Sequence, residues 1–303
     1  MANSIALADK YLPLLDEVYK QASVTSILDS ATKPSFDGVN AVKVFKTGMQ
    51  GLANYARNTG FVAGDVTGTW ETMTLGQDRG RSFMLDNMDN EETAGQSFGT
   101  LAAEFIRTKV APEVDAYRFA KYCGVSGIST VAAVNLDTGA KVLAAIDVAV
   151  AAMDENEVPA EGRVLFLTPT KYALLKGAVP SRFATMADTA FNRDFVTFDG
   201  MRIVKVPQTR FYTGITMVVN GAGSYTKALT GETGPGDDIG LNVNFMIIHP
   251  SAVIQATKIA KPRIFSPDQN QAADAWKYDF RLYHDAFAYE NKVNGIYLSK
   301  HSS

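Results

Sequence analysis

The sequence contains little of the chemistry on which disulfides, metal sites and thiol enzymes depend. It has one cysteine, Cys123, and three histidines, at positions 249, 284 and 301. A single cysteine excludes an intrachain disulfide and a multi-cysteine metal site, and no two histidines lie three or four residues apart, as paired ligands on one helix would. Cys123 ends an amphipathic segment, so we predict a small buried hydrophobe rather than a nucleophile.

Long apolar runs and an excess of basic residues are also missing. No apolar stretch approaches the roughly 20 residues that cross a bilayer, and the first residues carry acids and lack a basic region before an apolar core. We therefore expect a soluble cytoplasmic protein with no membrane partner. The net charge of −3 predicts only weak, non-specific contact with double-stranded DNA.

The glycine-rich stretch 221–240 lacks the features of a phosphate-binding loop. It has no Lys-Ser/Thr at the required spacing, and Gly234-Pro235-Gly236 precedes Asp237 and Asp238, which would repel phosphate. These two carboxylates have no calcium-loop spacing either, so solvation is expected. The stretch is predicted to be a flexible loop.

His284 and Asp285 are the only residues that suggest a catalytic dyad. They are adjacent on a predicted strand, so their side chains point to opposite faces and cannot orient one another. We expect His284 to be a hydrogen-bonded histidine of a sheet. No catalytic, cofactor-binding or metal-binding residue is therefore predicted, no cofactor is expected, and the chain is interpreted as a building block rather than an enzyme.

A very long amphipathic helix is the clearest element. Asp89 or Asn90 can cap its start, and Gly124 supplies its end. Roughly 33 residues at about 1.5 Å each give a helix of roughly 50 Å, with Pro112 expected to kink it. Its apolar stripe consists of Phe98, Leu101, Phe105, Val110, Val114 and Tyr117.

The residues before this helix are predicted to form an arm and a hairpin. Residues 1–41 suggest a short helix, Ile5–Gln21, followed by an extended arm. Residues 42–86 carry seven glycines and no proline, with too few large apolar residues for an independent domain. The strand-like pieces are Val42–Thr47, Thr69–Leu75 and Arg81–Leu85. This segment is either a mobile surface loop or an arm that packs on a neighbouring subunit.

The residues after the helix predict a compact α/β lobe. A second amphipathic helix carries Leu143, Ile146, Val150 and Met153, and Thr168-Pro169 is predicted to cap a third helix. The predicted strands are Val164–Leu167, Met201–Val206 and Thr216–Val219.

A further strand is predicted over Trp276–Glu290. Its even positions from Trp276 to Leu282 are apolar and face the core. The pattern shifts phase at Tyr283, which predicts a bulge or a strongly twisted crossing near Leu282–Tyr283.

Three stretches resemble the major capsid proteins of tailed bacteriophages, of the Hong Kong ninety-seven type. They are VAPEVDAYRFAKYCG at the end of the long helix, PQTRFYT at Pro207–Thr213, and the C-terminal residues that begin HPSAVIQATKIAKPRIF at His249. The resemblance implies an α+β fold. Its parts would be an N-terminal arm (1–41), an extended E-loop β-hairpin (42–87), the spine helix of a P-domain (88–127), a central α/β A-domain (128–244) and P-domain strands (245–303).

The function that this resemblance implies is structural. Copies of the chain would assemble as hexamers and pentamers into an icosahedral head that encloses double-stranded DNA, in the virion, after assembly in the host cytoplasm. Expected partners are a separate scaffolding protein, a portal and a possible decoration protein. Some relatives join subunits through a lysine and an asparagine; Lys43, Lys46 and Asn54 offer the residue types, but their spacing identifies no pair.

Two other functions stay open at this point. An encapsulin-like compartment would share the fold and enclose a protein cargo instead of DNA. A small-molecule enzyme on the α/β lobe would need a convergent polar pocket, which no motif indicates.

Overall fold

The structure is a computed structural model that describes residues 23–29, 36–37, 41–55, 57–58, 60–88, 102–178, 183–188, 193–218, 224–231, 234–237 and 239–302. The predicted helix Ile5–Gln21 and the predicted helix start at Asp89 or Asn90 lie outside these residues. The described α-helices are α1 (Ala111–Cys123), α2 (Gly139–Glu155) and α3 (Pro169–Ala178). The described strands are β1 (Phe36–Asp37), β2 (Ala41–Met49), β3 (Val66–Thr74), β4 (Gln77–Asp86), β5 (Ser129–Val131), β6 (Val164–Leu167), β7 (Phe183–Asp188), β8 (Arg193–Phe198), β9 (Met201–Lys205), β10 (Ile215–Met217), β11 (Tyr225–Lys227), β12 (Val243–Ile248), β13 (Val253–Phe265), β14 (Ala275–Ala288) and β15 (Ile296–Lys300).

A mixed seven-stranded sheet, in the order β5-β15-β12-β6-β9-β8-β7, forms the α/β lobe. β6 and β12 are buried along their whole length. β6 is wholly apolar, whereas β12 also buries the polar side chain of Asn244. Leu165 and Leu167 pack with α2 and α3, whereas Val164 and Phe166 point the other way and pack with the end of α1. Helices therefore cover this sheet on both faces.

The two helices of this lobe follow the sequence pattern. Ile146 and Met153 of α2 are fully buried, and Leu143 and Val150 pack beside them. α3 begins at Pro169, and the amide of Lys171 donates to the hydroxyl of Thr168 at 3.5 Å. The predicted cap is confirmed.

Residues 245–303 were predicted to supply only P-domain strands, and the structure divides them. β12 and β15 pair with each other inside the seven-stranded sheet, while β13 and β14 lie in a second sheet. Periodicity marks a strand's faces but not its partner, so the sequence could not make this division. The limits of all the predicted domains stay predictions.

The second sheet has the order β13-β14-β4 and packs against the long helix. Tyr278, Phe280 and Leu282 of β14 face the helix, as their alternation predicts. Trp276 belongs to the same face but is only partly buried, because it lies at the start of the strand.

The prediction of a bulge at Leu282–Tyr283 on β14 is wrong, because the bulge lies on the paired strand β13. The register shifts between Thr257 and Ile259 on β13, so the extra residue is Lys258. β14 continues its alternation without interruption along β4. The apparent phase shift at Tyr283 arises because the base of a hairpin covers the second face of the sheet there.

The long helix contains one wide turn. Residues 102–105 are α-helical, Ile106–Val110 form a π-helical segment, and α1 follows directly. The amide of Ala111 donates to the carbonyl of Ile106, five residues back. A π-helical turn thus lies just before Pro112, and the predicted kink at this proline stays a prediction.

Gly124 ends the helix as predicted, although for a different reason. Its φ is −85°, which any residue can adopt. A Cβ at this position would lie 2.9 Å from the Cα of Gly236, so a close backbone contact requires glycine here.

β2 and β3 form the predicted hairpin, in register from the pair Ala41–Thr74 to the pair Met49–Val66. The third predicted piece, Arg81–Leu85, lies in β4 and pairs with β14 instead of extending the hairpin. Residues 75–76 thus connect two different sheets.

The glycine-rich stretch 221–240 is packed rather than flexible in its described part. β11 lies within it and pairs with β10. A Cβ on Gly234 would lie 2.0 Å from the carbonyl oxygen of Ile215, and one on Gly236 would lie 2.1 Å from that of Thr213. The glycines permit close backbone packing, which contradicts the predicted flexible loop.

Candidate functional site

The two residues weighed as a dyad are buried but serve different partners. Both ring nitrogens of His284 lack a hydrogen-bond partner among the described residues, so the predicted hydrogen bond of this histidine is wrong. Burial, together with Arg118 and Arg79, lowers the pKa of His284 to about 3. The carboxylate of Asp285 accepts hydrogen bonds from Tyr117 and Gly76 instead.

The other residues with reactive side chains have structural contacts. Cys123 is buried, and this burial raises the pKa of its thiol. Asp237 was expected to be solvated, but it forms an ion pair with the ammonium of Lys300 at 2.6 Å, and Asp238 lies outside the described residues. His249 accepts a hydrogen bond from the amide of Ser251. Within the described part of the chain, no group of three His, Cys, Asp or Glu side chains could hold a metal ion.

The most unusual surface of the described chain is an exposed apolar one on the β2–β3 hairpin. We call it the hairpin surface. It consists of Phe45, Met49, Leu52, Tyr55, Phe61, Val62, Val66 and Trp70. A soluble protein rarely exposes so many large apolar side chains together unless they contact another molecule.

Aromatic pairs organise the hairpin surface. Phe45 and Trp70 are directly opposite in the β2–β3 register, with ring centroids 5.0 Å apart, yet both are more than half exposed. In the connecting loop, the rings of Tyr55 and Phe61 lie 4.9 Å apart, and Phe61 is 91% exposed. Burial of each such side chain by a partner would stabilise the complex by about 1.5–3 kcal/mol.

The base of the hairpin, in contrast, is anchored on the body. Val42, Met73 and Leu75 are buried against Ile254 and Ala256 of β13. The hairpin therefore has a fixed base and an exposed outer part.

Lys46 adds a polar contact between the hairpin and the body. Its ammonium lies 2.9 Å from the carboxylate of Glu71 on β3 and also contacts Glu290. Hydrogen bonds to Glu290 and Glu71 raise the pKa of Lys46. This lysine, which the sequence analysis considered for a covalent cross-link, is thus held by an ion-pair network.

A second candidate surface is a groove of about 560 Å³ between β4 and the long helix, lined by both apolar and charged side chains. Phe83, Phe105 and Phe280 form its aromatic wall, and Val110 and Leu282 contribute aliphatic surface. The rings of Phe83 and Phe105 meet edge to face at 4.9 Å. A groove of this volume and lining fits a few large apolar side chains.

The first described residues are tied to the long helix by one buried carboxylate. Asp115, which is fully buried, accepts hydrogen bonds from the amide groups of Val24 and Thr25 at 3.1 Å. It also accepts from the hydroxyls of Ser23 and Thr25 at 2.7 Å and from Arg210 at 3.0 Å. These contacts fix residues 23–25 against the long helix.

The sequence predicted the hairpin but not its apolar surface. Residues 42–86 were expected to be poor in large apolar side chains, whereas Phe45 and Trp70 lie on paired strands and share one exposed face. The available sequence signal was apolar residues on both faces of each strand. Asp115 and the groove gave no local signal, because their partners are distant in the chain.

Solved structures of phage capsids resemble this arrangement over most of its length. A chain of the cyanophage P-SCSP1u capsid structure is 13% identical, with a TM-score of 0.58, over 90% of this chain and 90% of that one. A chain of Mycobacterium phage Che8 is 14% identical, with a TM-score of 0.54, over 86% of this chain and 84% of that one. The chain has the phage capsid fold.

The capsid fold also relates this chain to a virus-like particle from Pyrococcus furiosus. That structure is 12% identical, with a TM-score of 0.56, over 97% of this chain and 99% of that one. No protein-family model and no curated protein matches the sequence. The narrower assignment to the Hong Kong ninety-seven type stays a prediction.

None of the helices in the described residues combines the length and apolar character that a membrane-crossing helix needs.

Proposed function

We propose that this chain is the major capsid protein of a phage, a structural subunit that assembles with copies of itself. Hexamers and pentamers of the chain would form an icosahedral head around double-stranded DNA in the virion. The observation that carries the proposal is the exposed hairpin surface on a capsid fold. A shell subunit needs large surfaces that only a neighbour buries, and it needs no active site.

The partner of the hairpin surface is proposed to be the groove of a neighbouring copy. Phe61 is 91% exposed, so the chain's own groove does not hold it. The groove offers Phe83, Phe105 and Phe280, and edge-to-face contacts with Tyr55 and Phe61 would suit these rings. Every copy then carries one donor surface and one acceptor surface.

Such a contact is heterologous, because it joins two different surfaces. Repetition of a heterologous contact produces a ring when the rotation closes. Hexamers and pentamers are closed rings of this kind, so the proposed contact is consistent with a shell built from one type of chain.

Paired substitutions test this function. Tyr55→Ser with Phe61→Ser removes the apolar tip of the hairpin and should leave a folded subunit that forms no particles in negative-stain electron microscopy. Val148→Ser removes an apolar side chain of α2 that is 57% exposed, and particles should form as in the unchanged chain. Normal particles from the double variant would contradict the proposed role of the hairpin.

A cross-link tests the geometry of the contact. Cysteines introduced at Phe61 and at Thr108, which lines the groove, should form a disulfide between copies but not within one. The native Cys123 is buried and should not interfere. The matched control for this cross-link places the second cysteine at Lys176 on α3 instead of Thr108, and no cross-link is expected there. Equal cross-linking of the two variants would contradict the proposal that the groove binds the hairpin of a neighbouring copy.

The remaining partners follow from the same proposal. DNA would be held mainly by enclosure, because 29 basic residues are offset by 32 acidic ones. Scaffolding, portal and decoration proteins would be separate chains, and assembly would take place in the host cytoplasm.

A protein-filled compartment is the second candidate function. The observation behind this candidate is the similarity to the virus-like particle from Pyrococcus furiosus, which spans nearly the whole of both chains. Nuclease treatment and mass spectrometry of purified particles separate the two functions. DNA inside the particle supports the capsid, and a single enclosed protein supports the compartment.

A further inference from the structure

The hairpin continues into β4 through only two residues, Leu75 and Gly76. β3 ends at Thr74 in the hairpin sheet, and β4 begins at Gln77 in the sheet with β14. No strand pairing connects these two sheets in the described residues. Along the backbone, residues 75–76 are where the hairpin's direction relative to β4 can change, while Val42 and Met73 limit the change by packing on β13.

Two side chains of β14 hold this link. The hydroxyl of Tyr283 donates to the carbonyl of Leu75 at 3.1 Å, and the amide of Gly76 donates to Asp285 at 2.8 Å. The Leu75 side chain is also buried with Val42. The carbonyl of Leu75 and the amide of Gly76 thus both have partners on β14.

The carboxylate of Asp285 connects the link to the long helix. One oxygen binds Gly76, and the other accepts hydrogen bonds from the hydroxyl of Tyr117 at 2.7 Å and from the amide of Ala286 at 2.8 Å. The ammonium of Lys121 lies 3.9 Å away. Since Asp285 is almost completely buried, the loss of any of these contacts cannot be replaced freely by water.

We propose that residues 75–76 are the hinge of the hairpin and that the series Tyr117–Asp285–Gly76 is its lock. The lock transmits the position of the long helix to the angle of the hairpin. Release of the lock widens the range of hairpin angles while the two sheets stay folded. The lock is a property of the single chain and holds whether or not the chain forms a shell. Any effect of the hairpin angle on the contact between neighbouring copies rests on the proposed function.

Hydrogen exchange on the unassembled subunit tests the lock. Tyr117→Phe keeps the buried ring and removes the hydroxyl that orients Asp285, so exchange at the Gly76 amide should accelerate about tenfold, as expected for one weakened hydrogen bond to a charged group. Exchange at Trp70 in the hairpin and at Phe166 in the α/β lobe should not change. Tyr122→Phe, at another buried tyrosine of α1, is the matched control and should leave Gly76 unchanged.

A distance measurement tests the resulting motion. Spin labels at cysteines introduced at Thr69 and Lys176, both exposed, report the hairpin relative to the α/β lobe. The distance distribution should broaden in Tyr117→Phe and in Tyr283→Phe, but not in Tyr122→Phe. An unchanged distribution, or unchanged exchange at Gly76, overturns the lock. Equal acceleration at Gly76, Trp70 and Phe166 overturns it too, because Tyr117 would then stabilise the whole fold.

Discussion

The hydroxyl of Ser23 donates to the buried carboxylate of Asp115 at 2.7 Å, although 92 positions separate the two residues. Asp115 therefore joins residues 23–25 to α1. Arg210, from the loop after β9, binds the same carboxylate at 3.0 Å. Three distant parts of the chain depend on one negative charge.

Asp115→Ala should destabilise the subunit by about 3–5 kcal/mol, since it leaves two amide groups and two hydroxyls without their acceptor and breaks the ion pair with the partly buried Arg210. Urea unfolding followed by circular dichroism measures this loss. Asp137→Ala is the control, because Asp137 forms only an exposed ion pair with Lys141, and its unfolding midpoint should not move. A loss below about 1 kcal/mol for Asp115→Ala would mean that the arm does not depend on this carboxylate.

Tyr278→Ala should cost about 3–5 kcal/mol of unfolding free energy, as expected when a large aromatic side chain is removed from a core. Tyr278 is fully buried against the long helix, whereas Trp276 on the same face is only partly buried. Trp276→Ala should therefore destabilise less than Tyr278→Ala in the same urea titration. If Trp276→Ala lowered the unfolding free energy more than Tyr278→Ala, the contacts of Trp276 would contribute more to stability than its partial burial indicates.

Replacement of residues 50–65 by Asn-Gly should separate folding from assembly. Met49 and Val66 are paired, so a two-residue turn can join them, and β2 and β3 remain intact. The shortened chain should keep the circular dichroism spectrum of the full chain but form no particles. A larger replacement that extends to Gly80 would also remove the buried Leu75 and the hinge at Gly76. A loss of assembly could then not be separated from a loss of folding. Particles of normal appearance from the shortened chain would exclude the loop from the interface.

Stability should fall with acidification because of His284. Its pKa is about 3 in the folded chain and near 6.5 when unperturbed, so the unfolded state takes up the proton first. The stabilisation is complete above about pH 6.5 and is lost progressively as the pH falls towards 3. In urea titrations at several pH values, His284→Gln should flatten this dependence. Identical profiles for the unchanged chain and His284→Gln would mean that other groups govern acid unfolding.

Local sequence patterns predicted the elements whose causes are local. The spacing of Ile146 and Met153 gives the buried face of α2, and Thr168 with Pro169 gives the start of α3. The alternation of Tyr278, Phe280 and Leu282 gives the face of β14 that meets the helix. Each of these depends on residues within a few positions of each other.

Contacts between distant residues could not be predicted in this way. Asp285 binds Gly76 across 209 positions, and periodicity says which face a residue occupies but not what covers that face. The same limit explains the misplaced bulge. Tyr283 is apolar on the second face of β14 because the hairpin base packs there, and nothing near Tyr283 in the sequence announces that neighbour.

The π-helical segment has a consequence for how such helices can be recognised in sequences. Ala102, Ile106, Val110 and Val114 are all buried in one cluster, at a strict spacing of four residues. On a regular α-helix, a spacing of four advances by about 40° beyond a full turn, so the stripe would drift around the helix. A wide turn of the backbone takes up this drift and keeps the stripe straight. An apolar period of four, sustained through a helix, is therefore a signature of an inserted residue, and deletion of one residue within 106–110 is the length change that this helix should tolerate best.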